Sequence, residues 1–256
     1  MTIRVSVLGA RGRMGQEVVA AVEADPGLAL AAALDVGDEP ATLVSVGTDV
    51  VVDFTSPAAV MGNLRFCIDH DLHVVVGTSG FTPERLAQVT EWLADHDRVG
   101  VVIASNFGIA AVLMMQFAAA AAPYFDSVEI VELHHPGKLD APSGTARRTA
   151  ELIGQSRTRA GSPEMPDATT EELDGARGAV VEGVRIHAVR SRGMIAHQEV
   201  ILGTAGELLT IRHDSMNRSS FMPGVLLAVR EIGGRPGLTF GLEHLLDLGG
   251  QDSPKT

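Results

Sequence analysis

Lysine, cysteine, tryptophan and tyrosine are all scarce in this chain of 256 residues. The single cysteine, Cys67, excludes an intramolecular disulfide and predicts a reducing, cytoplasmic setting. One tryptophan, one tyrosine and a net charge of −12 argue against a nucleic-acid partner, which demands clustered cations. The opening MTIRVSVLGA has no basic segment followed by an apolar one, so no secretory leader is expected. Long apolar runs are also missing. The nearest, FGIAAVLMMQFAAAAAPYF at 107–125, carries Gly108, Gln116 and Pro123 and is mostly alanine, which predicts a buried helix and no membrane partner. There is no internal repeat and no low-complexity tract. Basic charge is written as arginine except at Lys138 and Lys255. With 45% hydrophobic residues, the length suffices for one large soluble domain or two small ones.

The first hundred residues carry a repeating pattern. Ile3, Val5 and Val7 alternate, then come Gly9, Gly12 and Gly15, then Met14, Val18 and Val22 share one face of a helix. Strand, glycine turn and helix are the context of a phosphate-binding loop, here spaced G-x-x-G-x-x-G. The backbone N–H groups at the helix start are suited to a pyrophosphate. LALAAALD then ends in Asp35, twenty residues after Gly15, where a carboxylate accepts from an adenosine ribose. Asp35 favours NADH, whereas Arg11 and Arg13 could pair with a 2′-phosphate and favour NADPH, so both cofactors are expected. Valine-rich runs at 49–54, 73–77 and 98–107 are each followed by a helical stretch, which predicts a parallel sheet covered on both faces. Their carboxyl ends, Thr55-Ser56-Pro57, Gly77-Thr78-Ser79-Gly80 and Ala104-Ser105-Asn106-Phe107, share the edge where ligands bind. The last two are candidates for the nicotinamide half. Taken singly, each of these turns could equally be an ordinary helix cap, and Asp35 a solvated turn residue.

After residue 107 the rhythm changes. A strand is expected over 126–135, a helix from Ser143, a long flexible loop over 160–178, then strands at 183–190, 195–203 and 207–213 joined by short turns. Three such strands predict an antiparallel or mixed sheet. A helix over 219–233 is expected to pack back onto the first domain. Chemistry concentrates in ELHHPGKLDAPSGTA, residues 132–146. Ser143 stands as N-cap, leaving the N–H groups of Gly144 and Thr145 as unpaired first-turn donors for a carboxylate or phosphate. His134 and His135 point to opposite faces of an extended chain, and no carboxylate or thiol lies at a matching ligand spacing, so no metal is expected. Histidine exchanges protons near neutrality and lysine does so when desolvated, whereas arginine cannot. That is a physical reason for Lys138 in a chain that otherwise uses arginine. Arg190, His197, Glu199 and His213 read as satisfied surface or interface groups, and His70, His73 and His96 as residues of helix ends and turns.

GARGRMG, VVDFTSP, VVGTSGF, ASNF, ELHHPGKLDAPSGTA, AHQEVILGTAGELLTIRHDS and RSSFMPGVLLAVR occur in that order across nearly the whole chain. Together they resemble the bacterial 4-hydroxy-tetrahydrodipicolinate (dihydrodipicolinate) reductase family, with an actinobacterial arginine-rich composition. The resemblance implies reduction of a small cyclic dicarboxylate to tetrahydrodipicolinate in the diaminopimelate route to lysine. It assigns cofactor binding to Gly9, Ala10, Arg11, Gly12, Arg13, Met14, Asp35, Gly77, Thr78, Ser79, Ala104, Ser105, Asn106 and Phe107. It assigns proton transfer to His134 and Lys138, and substrate binding to His135, Gly144 and Thr145. It also implies a homotetramer built through the substrate-domain sheets and a hinge that closes over both ligands. Arg11 and Arg13 stand where relatives vary between lysine and arginine, which leaves NADH against NADPH open.

The expected fold is α/β: a Rossmann-type doubly wound parallel sheet plus an α+β domain with a mixed sheet. Residues 1–107, completed by 218–256, form the dinucleotide-binding domain, and 108–217 the substrate-binding and tetramerisation domain. A different nicotinamide-dependent reductase would share the glycine loop without needing the histidine, lysine and Ser-Gly-Thr group. A nucleotide-sensing scaffold would tolerate loss of Lys138.

Overall fold

The structure, a computed structural model, describes residues 2–247. Residues 248–256, placed by the sequence reading in the first domain, lie outside the described residues. The chain divides into two compact units, one made of residues up to Phe107 together with those from Phe221 onward, the other of Gly108–Ser220.

In the first unit, the alternation from Ile3 to Val7 becomes strand β1 (Ile3–Leu8), followed by helix α1 (Arg13–Ala24) and strand β2 (Leu28–Leu34). A short helix α2 (Thr42–Ser45) precedes β3 (Val50–Asp53), α3 (Val60–Asp69), β4 (His73–Val76), α4 (Pro83–Leu93) and β5 (Gly100–Ile103). Every pairing among these strands is parallel, and the residues of β3 and β5 are all buried. Short valine runs with no polar face fit a sheet covered on both sides. Val18 and Val22 turn the inner face of α1 to the core, and Leu64, Cys67 and Ile68 do so for α3. Burial, together with the nearby Asp53 charge, raises the Cys67 thiol pKa to about 12, which leaves it a packing group.

The second unit opens with α5 (Ile109–Ala121), which the alanine-rich run forms before Pro123 ends it in a 3₁₀ turn. Among the described residues no helix is long and apolar enough to cross a membrane. Strand β6 (Ser127–His134), helix α6 (Gly144–Ala160) and strands β7 (Ala179–Val181), β8 (Val184–Arg190), β9 (Ala196–Thr204) and β10 (Glu207–Ser215) complete it. The sheet order is β10-β9-β6-β8-β7. β6 and β8 are parallel and the other pairs antiparallel, so the sheet is mixed. Of the three late strands β9 and β10 are neighbours, but β8 is set apart from them, because β6 lies between β8 and β9. Val128, Ile130 and Glu132 of β6 are buried in alternation, as are Val184 and Ile186 of β8 and Val200 and Leu202 of β9. That shared apolar face lies against α5 and α6 and makes β6 the central strand.

The loop over 160–178, expected to be flexible, is tied down. The buried Arg157 guanidinium donates to the carbonyls of Phe125 and Ala122 on one side and Pro163 on the other, at 2.5, 3.0 and 2.9 Å. Asp167 lies 3.3 Å from Arg177 and 3.0 Å from Arg185, and Arg177 reaches Glu129 at 2.5 Å.

The predicted helix over 219–233 is three pieces: a 3₁₀ turn at Arg218–Phe221, then, in the first unit, α7 (Met222–Glu231) and a second 3₁₀ turn at Ile232–Gly234. α7 packs beside α1. A Cβ on Gly224 would come within 2.0 Å of the Phe107 carbonyl oxygen, so that approach requires glycine. Strand β11 (Gly237–Phe240), which the sequence reading did not anticipate, extends the parallel sheet beside β5 to give the order β11-β5-β4-β3-β1-β2.

Candidate active site

The glycine loop joins β1 to α1. Gly9 has φ +77°, and a Cβ there would stand 2.7 Å from the Phe54 carbonyl oxygen. A Cβ on Gly15 would meet the Gly9 carbonyl oxygen at 2.1 Å, so the third glycine lets α1 sit down on the loop. Gly12 is the N-cap and brings no side-chain cap to the first turn, whose N–H groups lie at the positive end of the helix. Asp35 closes the loop from β2. Its carboxylate accepts from the Val36 and Arg11 N–H groups, both at 2.8 Å, and these two bonds hold its pKa below the usual carboxylate range. Gly9, Gly12, Asp35, Val36, Phe54 and Phe66 are among the residues lining a cavity of about 620 Å³. Glycine backbone, an anchored carboxylate and an apolar wall in one cavity fit the adenosine and pyrophosphate of a dinucleotide.

The remaining cofactor candidates of this unit fall into two groups. Thr78 is buried, and its hydroxyl donates to the Asp53 carboxylate at 3.0 Å. Gly77 faces the Phe54 ring so closely that a Cβ would overlap it. Phe107 packs its ring 6.0 Å from that of Phe54. The ends of β3, β4 and β5 therefore meet around Phe54. Ala104 is buried, Asn106 half-buried, and Ser79 and Ser105 exposed. Arg11, Gly12 and Arg13 are exposed, Met14 is half-buried, and Ala10 is buried at the loop's base. Arg11 lies 3.6 Å from Asp38.

In the second unit, β6 ends at His134 and the chain turns, with the Lys138 N–H donating to the His135 carbonyl at 3.1 Å. The Ala141–Pro142 peptide bond is cis, and Ser143 then caps α6 by accepting from the Ala146 N–H. His135 is exposed, while His134 and Lys138 are half-buried. The Lys138 side chain is largely enclosed, and its ammonium is ion-paired with Asp140 at 2.8 Å. Burial alone would raise the Asp140 pKa. The hydrogen bonds from Lys138 and from backbone N–H groups, Gly144's included, outweigh it and hold the carboxyl below its ordinary range. Thr145 accepts, at its carbonyl, from the Thr149 hydroxyl at 2.8 Å.

The group that sequence reasoning missed is Glu132. Its side chain is fully buried, one β-repeat before His134 and on the same face. One oxygen lies 2.5 Å from His134 Nδ1 and 2.8 Å from Arg190 Nη1. The other accepts from Arg190 Nη2 at 2.8 Å and from the Ser143 N–H at 3.1 Å. Burial pushes the Glu132 pKa up, and the hydrogen bonds and charges of His134 and Arg190 more than reverse this, bringing it to about 2. Arg190 is therefore not the bland surface group it read as. It pairs bidentately with Glu132 and donates to the Asp140 carbonyl at 2.7 Å. The only early signal was a glutamate at an inward position of an apolar strand. His197 and Asp214 pair at 2.7 Å, and Arg212 reaches Glu199 at 2.9 Å, in keeping with satisfied side chains. His213 has its pKa lowered, chiefly by burial. His73 is not in a turn: it begins β4, accepts from the Gly100 N–H at 3.0 Å, and has its pKa lowered by burial. Among the described residues, no three His, Cys, Asp or Glu side chains gather where they could hold a metal ion.

Residues 3–107 match the model of the dihydrodipicolinate reductase N-terminus, and residues 110–246 that of its C-terminus. The 4-hydroxy-tetrahydrodipicolinate reductase of Streptomyces avermitilis is 61% identical over 246 residues, 96% of this chain and 98% of that one. The enzyme of the same name from Nocardia farcinica is 62% identical over 248 residues, 97% of this chain and 100% of its own. Among solved structures, a dipicolinate-bound dihydrodipicolinate reductase from Paenisporosarcina sp. TG-14 superposes with a TM-score of 0.84 at 40% identity, covering 96% of this chain and 100% of that one. An amine dehydrogenase from Mycobacterium smegmatis, at 14% identity and a TM-score of 0.64 over 98% of each chain, shares the fold alone. The chain belongs to the dihydrodipicolinate reductase family.

Proposed function

We propose that the chain is an NAD(P)H-dependent 4-hydroxy-tetrahydrodipicolinate reductase of the diaminopimelate route to lysine, reducing a small cyclic dicarboxylate to tetrahydrodipicolinate. The carrying observation is that one stretch, residues 132–145, holds a carboxylate-anchored histidine, a lysine and a capped helix N-terminus. Relatives of the same name at about 60% identity support the reading. In this proposal the first unit holds the dinucleotide and the second the substrate.

The dinucleotide would be held by the loop from Gly9 to Met14, by Asp35, by Gly77–Ser79 and by Ala104–Phe107. When bound, it would supply the hydride, delivered to the far end of the conjugated C=N system that the ring gains once its 4-hydroxyl has left as water. The Gly144 and Thr145 N–H groups and His135 take a substrate carboxylate. The reduced ring then needs one proton, which Lys138 or His134 donates. Cytoplasmic placement belongs to the same reading and rests on the single thiol, Cys67.

Asp35 suits a ribose diol and the exposed Arg11 and Arg13 suit a 2′-phosphate, so NADH and NADPH are both used. Oxidation of each is to be followed with and without substrate freshly made by the preceding synthase. The expected outcome is substrate-dependent oxidation of both, with kcat/KM values within about a hundredfold of each other. No substrate-dependent oxidation would overturn the function, and a wider ratio the shared use.

The homotetramer is supported by the second sheet. α5 and α6 lie on one face, while Val131, Leu133, Val189, Ile201 and Leu208 alternate onto the other, with Leu208 74% exposed. Light scattering on the eluting protein is expected to read about four times the chain mass of 26.9 kDa. A monomer mass would remove the assembly.

A further inference from the structure

Glu132 is an unusual residue for the centre of an apolar face. Its neighbours on the inward side of β6, Val128 and Ile130, are as buried as it is. A fully buried carboxylate is costly unless each oxygen is bonded, and both oxygens here are doubly occupied. The partners belong to three separate parts of the unit: the His134 ring at the end of β6, the Arg190 guanidinium on β8, and the Ser143 N–H at the start of α6. Arg190 stands directly opposite His134 in the β6–β8 register and carries the link on to the Asp140 carbonyl.

Two consequences follow from ordinary hydrogen-bond chemistry. An ionised carboxylate only accepts, so the His134 nitrogen facing it carries a hydrogen. The neutral ring is then the Nδ1–H tautomer, the reverse of the form imidazole side chains prefer in water. Nε2 is left as the nitrogen that can gain and give a proton. The second consequence is positional. The carboxylate that turns the ring also accepts from Ser143, the cap whose next two N–H groups are read above as the carboxylate grip.

We propose that Glu132 is the positioning residue of this site, fixing His134 as the Nδ1–H tautomer with Nε2 toward the substrate and tying the Asp140–Thr145 turn to the end of β6. The role rests on the reading of His134 as an acid–base group, and Glu132 itself neither touches substrate nor takes up the proton. Arg190 keeps the carboxylate ionised and cannot substitute for it as an acceptor.

The test uses the full chain labelled with ¹⁵N-histidine, the His134 signals being identified by their loss in His134→Gln. On the alkaline side of the ring's titration, wild-type His134 is expected to show a hydrogen on Nδ1 and none on Nε2. In Glu132→Ala the ring is expected to revert to the Nε2–H form. In Glu132→Gln, which keeps the shape, kcat is expected to fall at least about tenfold with dinucleotide affinity unchanged. A wild-type ring protonated at Nε2 overturns the proposal without any variant, so a misfolded Glu132→Ala leaves it testable. An unchanged tautomer in Glu132→Ala, or full turnover in Glu132→Gln, overturns it equally. Failure of the reductase reading would show separately, as no substrate-dependent oxidation by the wild type.

Discussion

Lys138→Met and His134→Gln are each expected to lower kcat by about 10² or more while leaving the affinity for NADH nearly unchanged, the range for a lost acid–base group. Methionine keeps the unbranched side chain of lysine and removes only the ammonium, which is paired with Asp140 at 2.8 Å. Glutamine retains a hydrogen-bonding end for Glu132 without a ring that exchanges protons. Neither residue is among those assigned to the dinucleotide, so the loss belongs in turnover. Lys138→Arg separates charge from chemistry, since it restores a cation for Asp140 but cannot release its proton. It is expected to recover the substrate KM to within a few-fold while kcat stays low. Steady-state kinetics with varied substrate and saturating NADH, beside a direct titration of NADH binding, checks all three variants. Near-normal turnover in both Lys138→Met and His134→Gln would remove the proton-transfer assignment.

The parallel sheet was legible because its strands are short apolar runs with glycine or polar residues at their carboxyl ends, and local sequence carries that pattern. Strand β11 was not legible. Gly237–Phe240 is four residues long and gains its pairing only from β5, more than a hundred positions away in the chain. The order of the second sheet was lost for a similar reason. Short turns link β8, β9 and β10 in sequence, yet β6 is inserted between β8 and β9 through a parallel pairing that no local signal reports. The pinned loop beyond Gly161 shows the same limit. Its composition reads as solvent-exposed chain, while the arginines that hold it, Arg157 and Arg185, lie in α6 and β8.

At the site, chemistry that is continuous in sequence was visible and chemistry assembled across strands was not. His134, Lys138 and the Ser143 cap lie within one motif. Glu132 is in that motif too, but its importance depends on Arg190, fifty-eight residues later and beside it only through the β6–β8 register. The pairing of Lys138 with Asp140 was not legible, because a carboxylate two residues on does not reveal that the turn folds the two side chains together.

Glu132→Gln is also expected to destabilise the protein in a pH-dependent way. The fall of the Glu132 pKa from its ordinary 4.5 to about 2 corresponds to about 3 kcal/mol of native-state stability at neutral pH. A depressed carboxylate contributes fully above its unfolded-state pKa, and the contribution disappears as the pH falls through the folded-state value. The Glu132 contribution to the gap between wild type and Glu132→Gln should therefore be present in full above about pH 5 and be lost as the pH falls from about 5 through about 2. Below the lower limit the wild type carries a neutral carboxyl nearly isosteric with the amide. Arg190 stays charged throughout, so whatever its lost partner costs beyond this adds an offset independent of pH. Asp35, Asp140 and Asp214 also have lowered pKa values, but they titrate alike in both proteins and cancel in the difference. Urea unfolding of the two proteins across that pH range measures the gap directly. A gap of constant size would mean that Glu132 acts by shape and not by charge, and the anchoring of His134 by an ionised carboxylate would fall with it.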